Sequence, residues 1–312
     1  MGIQHGIVVP LAHATGWTAQ IPVGMVVLAG AAYVWTVRRP RRPSPKQSRT
    51  VFRARRRAVA FFAGLLAVLA ALSGPVERFA DELFWVHMVQ HLLLLTVAAP
   101  LFVLAAAWAL PLRLLPPDAR RRAVARWRGA RSTRPLRDVT AFLSVPAAVW
   151  IAFNANLVVW HVPAAFDLTL RSAPVHDLEH LLFLGLGVVF WAQVIDSPPF
   201  HSRLGHLQRA MYVGAAATVG WALSIALTLA PSTLYAPYGE LATRPGGLSG
   251  LADQRLAAGV MLVPGSIAFA IVAALALTRW LAEDEPRAAP GARFAKSQIP
   301  SGAEKEAASW VR

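Results

Sequence analysis

The stretch LFWVHMVQHLLLLTVAAPLFVLAAAWAL, Leu83–Leu110, contains 28 residues and not one Asp, Glu, Lys or Arg. About 20 consecutive apolar residues cross the hydrocarbon core of a bilayer as a helix, so this stretch predicts a transmembrane helix. The whole 312-residue chain has the same character, because 56% of its residues are hydrophobic and only 15% are charged. Soluble domains carry about 25% charged residues. The composition therefore predicts a polytopic membrane protein and excludes intrinsic disorder.

Six further segments are apolar over the length of a bilayer span. Together with Leu83–Leu110 they predict an all-α domain of seven transmembrane helices over residues 17–281. Prolines lie inside three of the predicted spans, at Pro100, Pro146 and Pro264. The six other spans are Trp17–Val37, Ala58–Val76, Ala141–Trp160, Leu178–Ile195, Ala210–Ala230 and Leu256–Trp280.

The Lys and Arg residues are unevenly distributed among the predicted loops. Of 31 in total, 27 follow spans one, three, five and seven. Cytoplasmic loops are enriched in Lys and Arg, so the N-terminus is predicted outside and the C-terminus inside. The chain then divides into an external tail over residues 1–16, basic cytoplasmic loops at 38–57 and 111–140, and a disordered cytoplasmic tail over 282–312. Because topology accounts for the net charge of +15, we expect no nucleic-acid partner.

Five of the nine His residues are predicted to meet near the outer face. His87 and His91 form an HxxxH pair at the start of span three, and His176 and His180 repeat that spacing in HDLEH at the start of span five. His161 ends span four. Residues four apart lie on one face of a helix, so each pair directs both imidazoles the same way.

Several chemistries suit such a cluster. The chain has no Cys, which excludes a disulfide scaffold and a cysteine-based site. Imidazole suits copper, zinc and iron. A copper site, a haem held by two His, and a metalloenzyme remain open, as do interfacial His without metal. In the enzyme alternative, HDLEH matches the H-x-x-E-H pattern of zinc proteases, with Glu179 as general base. Auxiliary side chains near the cluster are Met88, Gln90, Asp177, Glu179, Asp253, Gln254 and Met261.

From span three to span seven the chain resembles the CtaG family of caa3-type cytochrome c oxidase assembly factors. Phe166 stands where the family usually has Tyr, and Leu262 where Trp is common. These departures affect the fine tuning of the site, but neither removes a candidate ligand. The stretches that carry the resemblance are HMVQHLLLLTVAAPLF (His87–Phe102), NANLVVWHVPAAFDLTL (Asn154–Leu170), HDLEHLLFLGLGVVFW (His176–Trp191), LYAPY (Leu234–Tyr238) and DQRLAAGVMLVPG (Asp253–Gly265).

This resemblance implies a non-enzymatic role in maturing the copper centres of haem–copper oxidases, on the outer side of a bacterial cell membrane. We expect copper, as Cu(I), in a shallow and exchangeable site, with Asp177, Glu179 or Asp253 fixing the His tautomers. The implied partners are oxidase subunits, other copper chaperones and the lipid bilayer. The alternatives are a haem-binding electron carrier, a zinc or di-iron enzyme, and a scaffold without metal. The implied metal ligands are His87, His91, His161, His176 and His180.

Overall fold

A computed structural model describes residues 20–38, 47–197, 201–241 and 243–284. Regular secondary structure in these ranges is helical. The α-helices are α1 (Gln20–Arg38), α2 (Gln47–Ala71), α3 (Gly74–Ala80), α4 (Phe84–Leu92), α5 (Ala99–Ala105), α6 (Leu110–Leu114), α7 (Pro117–Gly129), α8 (Arg134–Phe142), α9 (Pro146–Trp160), α10 (Pro163–Arg171), α11 (Ala173–Ala192), α12 (His206–Leu229), α13 (Ala236–Gly239), α14 (Gly250–Leu262) and α15 (Pro264–Asp284). A π-helical segment, Leu93–Ala98, joins α4 to α5.

Five helical stretches are long and apolar enough to cross a membrane. A sixth candidate is the pair α8 and α9, which bend by 83° at their junction. The first predicted span corresponds to a shorter apolar helix, Val23–Thr36. The described residues therefore confirm an all-α chain with five or six candidate spans. The five stretches are Phe52–Ala80, Phe84–Ala105, Ala173–Ala192, His206–Leu229 and Gly250–Glu283.

The described parts of the two predicted basic segments are largely helical. Helix α2 begins at Gln47, so the second half of the 38–57 segment extends a candidate span. Helices α7 and α8 occupy most of the 111–140 segment. Arg has a high helix propensity, and its long side chain reaches past apolar surface to water. The predicted tail over 1–16 lies outside the described residues, as does 285–312 of the predicted cytoplasmic tail.

Prolines set the boundaries within two predicted spans. Pro146 and Pro264 begin α9 and α15, where a missing N–H costs nothing. Pro100 instead follows the π-helical segment. The Ala99 N–H bonds to the Leu94 carbonyl, five residues back, which releases the Leu95 carbonyl. The indole of Trp191 donates to that carbonyl at 2.7 Å and so ties α11 to the segment.

The bundle has two chemically different ends. At one end the Tyr238 hydroxyl donates to the Ala80 carbonyl, and the Tyr235 hydroxyl donates to the His161 carbonyl at 3.1 Å. We call this the histidine end. At the other end, Arg209 pairs with Asp196 at 2.7 Å, close to the start of α12. We call this the basic end, because the Arg-rich helices α7 and α8 lie there, directly before α9.

Candidate metal centre

Helix α4 carries the first histidine pair. The Nε2 atoms of His87 and His91 are 3.1 Å apart, and their ring centroids are 4.5 Å apart. Asp253 of α14 holds the start of this helix, because its carboxylate accepts the N–H groups of Phe84 at 2.9 Å and Trp85 at 3.0 Å. The first N–H groups of a helix have no partner within it, and a carboxylate there also complements the helix dipole. Asp253 thus positions the helix that carries the pair.

Helix α11 brings a second pair and a carboxylate to the same place. His176 and His180 have ring centroids 4.1 Å apart. His176 lies 5.1 Å from His87, and His180 lies 5.5 Å from His91, again between ring centroids. Glu179 lies on the same face of α11, three residues after His176. Four imidazoles and one carboxylate therefore converge from two helices.

Two overlapping sets of ligand atoms in the described part of the chain lie within 4.8 Å of one another. One set is His87, His91 and His180, and the other is His87, His176 and Glu179. His87 is common to both. Neutral imidazole nitrogen and carboxylate oxygen are ordinary ligands of transition metals. Four of the five predicted His positions therefore meet at a spacing that suits a metal ion.

His161 belongs to neither set and lies at the border of the cluster. Its Nδ1 is 2.7 Å from the Leu157 carbonyl. A carbonyl only accepts, so Nδ1 carries the proton and Nε2 carries the lone pair. That Nε2 atom is buried and has no hydrogen-bond partner among the described residues. His161 is close enough to His87 and Glu179 to interact with them electrostatically.

Tyr238 assigns the tautomer of His87. Its hydroxyl donates to the Ala80 carbonyl and lies 3.2 Å from His87 Nδ1. A phenol has one proton to donate, so Nδ1 must be the donor in the second contact and Nε2 is left with a lone pair. Burial, with the nearby carboxylates Asp81, Asp253 and Glu179, raises the pKa of Tyr238 well above its usual value. The phenol therefore stays protonated, and the His87 Nε2 lone pair points at His91.

One protein family matches residues 31–283, the family described as cytochrome c oxidase caa3 assembly factor, or CtaG. The matched region contains the whole cluster, including His161 and Tyr238. The chain belongs to this family.

Relatives of this CtaG-family chain are found among mycobacterial proteins. An uncharacterized protein of Mycobacterium tuberculosis is 28% identical over 244 residues, which are 77% of this chain and 36% of that protein. An uncharacterized protein of Mycobacterium leprae is 26% identical over 243 residues, again 77% of this chain and 36% of the relative. The chain therefore spans about a third of the length of the curated relatives it matches. No solved structure matches it.

The cluster of this CtaG-family chain is enclosed. Its five His side chains are between 0% and 5% exposed. Phe166, which replaces the family's usual Tyr, packs on His87 at 4.9 Å and on Tyr235 at 4.4 Å between ring centroids. Phe183 packs on His91 at 4.3 Å. The expectation of a shallow, exposed site is therefore wrong, because the His side chains are buried and aromatic rings pack against two of them.

Asp253 and Gln254, which begin the DQRLAAGVMLVPG stretch, hold backbone around the cluster. The side-chain oxygen of Gln254 accepts the Leu234 N–H at 2.8 Å, and its amide donates to the Leu227 carbonyl at 3.0 Å. It thereby anchors the LYAPY segment, which supplies Tyr238. Asp253 of α14 thus holds the start of α4 and Gln254 holds the LYAPY segment, so the pair supports the backbone on two sides of the cluster.

The other auxiliary residues lie further from the ligand atoms. Gln90 donates to the Ala71 carbonyl at 2.9 Å and to Glu77 at 2.6 Å, which ties α4 to its neighbours. Met88 is buried in an apolar cluster that Met261 also contacts. Asp177 is exposed on the opposite side of α11 from Glu179. Leu262, at the second departure from the family, is also exposed.

Tyr235 and Tyr238 are not among the site residues predicted from the sequence. Both are fully buried and bond to groups at the cluster, Tyr235 to the His161 carbonyl and Tyr238 to the His87 ring. The signal was present in the LYAPY motif, which pairs two Tyr in a segment between predicted spans six and seven. Their contact with the cluster depends on how that segment folds back over the bundle.

Proposed function

We propose that this chain spans the membrane seven times, with its N-terminus outside and the histidine end on the outer side. Five or six candidate spans and the apolar helix Val23–Thr36 support this arrangement. The distribution of Lys and Arg supports the orientation, since 27 of 31 belong to segments on the predicted inner side. The bacterial relatives support a location in the cell membrane.

We further propose that the chain handles copper for the maturation of cytochrome c oxidase. The observation that carries this proposal is the buried convergence of His87, His91 and His180, whose ligand atoms lie within 4.8 Å of one another. Family membership supplies the process, oxidase assembly. Imidazole clusters bind copper strongly, because Cu(II) heads the divalent affinity series. Copper is cargo in this proposal, and the partners are oxidase subunits or other copper chaperones.

In this proposal each residue of the cluster has a task. His87, His91, His176 and His180 hold the ion, and the His161 lone pair is available at the border. Tyr238 keeps the Nε2 of His87 free for the ion, since hydrogen bonds to the distal nitrogen orient metal-binding His. Because the His side chains are buried, delivery requires the segments around the cluster to move when a partner docks.

Two alternatives are less favoured by the contacts. A porphyrin would have to fit between axial His rings, but the ring of His87 packs directly on Phe166 and that of His91 on Phe183. A protease of the H-x-x-E-H type needs its Glu beside water and substrate. Glu179 is fully buried. Both arguments favour a bare ion in a closed site over haem or a hydrolytic centre.

The test is copper content by mass spectrometry of protein purified with and without reductant. We expect bound copper in the wild type and its loss in the double variants His87→Ala/His91→Ala and His176→Ala/His180→Ala. His206→Ala is the matched control, because His206 lies at the basic end beside Glu283. The same variants, expressed in cells lacking the native gene, should fail to restore copper in the oxidase. Copper absent from the wild type, or retained in both double variants, contradicts the proposal.

A further inference from the structure

Glu179 differs from the other acidic groups around the cluster. Its side chain is 0% exposed, and neither carboxylate oxygen has a hydrogen-bond partner in the described ranges. Asp253, by contrast, receives two backbone N–H groups, and Asp177 is exposed. A buried carboxylate without hydrogen bonds is strongly unfavourable unless a cation compensates it. The surroundings of Glu179 should therefore contain the place of a cation.

Two imidazole nitrogens face the carboxylate of Glu179. Its Oε1 is 3.5 Å from His91 Nε2, and its Oε2 is 3.8 Å from His87 Nε2. His87 cannot donate to it, because Tyr238 leaves the His87 Nε2 with a lone pair. A proton on His91 Nε2 can bond to only one acceptor, either Glu179 or His87. A metal ion can accept electron pairs from His87, His91 and Glu179 together.

The spacing fits such an ion. With metal–ligand bonds of about 2.0–2.2 Å, the ligand atoms of a tetrahedral site lie about 3.3–3.6 Å apart. The Nε2 atoms of His87 and His91 are 3.1 Å apart, and Glu179 faces this pair with its two oxygens, Oε1 at 3.5 Å from His91 and Oε2 at 3.8 Å from His87. These separations are close to that range, and one oxygen of Glu179 also forms a set with His87 and His176 within 4.8 Å. His176 and His180 each belong to a set of ligand atoms within 4.8 Å, so the shell that we infer includes one or both of them.

The type of ligand indicates the type of ion. Carboxylate oxygen is a hard ligand, whereas Cu(I) prefers thiolate, thioether and imidazole. The chain has no Cys, and Met88 and Met261 pack in an apolar cluster with Phe84 and Phe166. Without thiolate and with a carboxylate, the site matches a divalent ion of borderline softness.

We propose that Glu179 is a direct ligand, and that the site takes a divalent first-row cation, Cu(II) foremost, in preference to Cu(I). This inference rests on the proposed copper function and revises the oxidation state expected from the sequence. It also changes the role of Glu179 from a partner of the His ligands to a member of the coordination shell.

The experiment is a competitive titration of the full chain in detergent with Cu(II), Zn(II) and, under reductant, Cu(I). The variant is Glu179→Gln, which preserves side-chain volume, and the matched control is Asp177→Asn on the same helix. We expect Glu179→Gln to lower the affinities for Cu(II) and Zn(II) at least tenfold and to change the affinity for Cu(I) less than threefold. Asp177→Asn should leave all three affinities unchanged. Equal affinities for Cu(II) in the wild type and Glu179→Gln overturn the proposal.

A measurement on the wild type keeps the proposal testable should Glu179→Gln not fold. Infrared difference spectra on adding Cu(II) should show a shifted carboxylate stretch in the wild type and in Asp177→Asn, and its absence overturns the ligand role. The result also separates the two proposals. Copper that binds the wild type and Glu179→Gln equally refutes this inference alone, whereas a wild type that binds no copper refutes the proposed function as well.

Discussion

Tyr238→Phe tests whether the second interaction of His87 controls metal binding. The substitution removes one hydroxyl from a fully buried side chain. The Ala80 carbonyl loses its donor, and His87 Nδ1 loses its acceptor at 3.2 Å. Loss of such a partner to a metal-binding His costs about 10–100-fold in metal affinity. That corresponds to about 1.4–2.7 kcal/mol of binding free energy.

The matched control is Tyr235→Phe in the same LYAPY segment. Its hydroxyl donates to the His161 carbonyl at 3.1 Å and is equally buried. Each variant leaves one buried carbonyl without its donor, which costs about 1–3 kcal/mol of folding stability. Tyr238 alone also touches an imidazole nitrogen of the cluster. We therefore expect a loss of stability in both variants, larger in Tyr238→Phe because the His87 N–H also loses its acceptor, and a loss of metal affinity chiefly in Tyr238→Phe.

The assay is titration with Cu(II) against a chromophoric chelator, beside thermal unfolding of both variants. Histidine nitrogen NMR of the metal-free protein adds a direct readout, since His87 should carry its proton on Nδ1 in the wild type. A tenfold or greater loss of affinity in Tyr238→Phe, with Tyr235→Phe within threefold of the wild type, supports the reasoning. Equal metal affinities in the two variants, or a proton on Nε2 of His87 in the wild type, would refute it.

Three further predictions concern the framework. Asp253→Asn removes one of the two acceptor oxygens and the negative charge at the start of α4. Thermal unfolding should therefore show that the free energy of unfolding falls by about 1–2 kcal/mol, and unchanged stability contradicts the capping role. Because the chain has no Cys, Ser232→Cys and Ser132→Cys can report topology: an impermeant maleimide on intact cells should label only the former, and the reverse pattern inverts the proposed orientation. Burial acts to raise the pKa of Asp196, but hydrogen bonding and charge from Arg209 outweigh it and hold that pKa below its usual value. The stabilisation by this ion pair is thus present above the ordinary Asp pKa and is lost as the pH falls through the lowered value. Asp196→Asn should reduce stability at pH 7 and make stability depend less on pH in the acid range, and the control Asp138→Asn should do neither. Parallel profiles of stability against pH for the wild type and Asp196→Asn would contradict the role of the pair.

Helical class and approximate span positions were predictable because apolar length is a local property. The stretch Leu83–Leu110 and the candidate spans after it were located by hydropathy alone. The helix ends were less predictable. Pro146 and Pro264 begin helices, and a π-helical segment precedes Pro100, because these boundaries depend on which carbonyls find partners elsewhere. The Trp191 indole that bonds to Leu95 comes from a helix 96 residues away in the sequence.

The candidate site divides in the same way. Spacing alone put His87 beside His91 and His176 beside His180, because residues four apart always share a helix face. It did not distinguish Glu179, whose oxygens face two imidazoles, from Asp253, whose oxygens receive backbone N–H groups. Both are single carboxylates near the start of a predicted span. What separates them is the set of donors that the neighbouring helix presents.

The sequence by itself determined that this chain is a helical membrane protein, which ends of its helices carry the basic segments, and which residues form two His pairs. Those properties follow from composition and from spacing along one helix. Only the tertiary structure decided that the pairs face each other, that aromatic side chains enclose them, and that Tyr238 selects the nitrogen His87 offers. These depend on contacts between segments as far apart as Ala80 and Tyr238, and packing of the whole bundle brings those segments together.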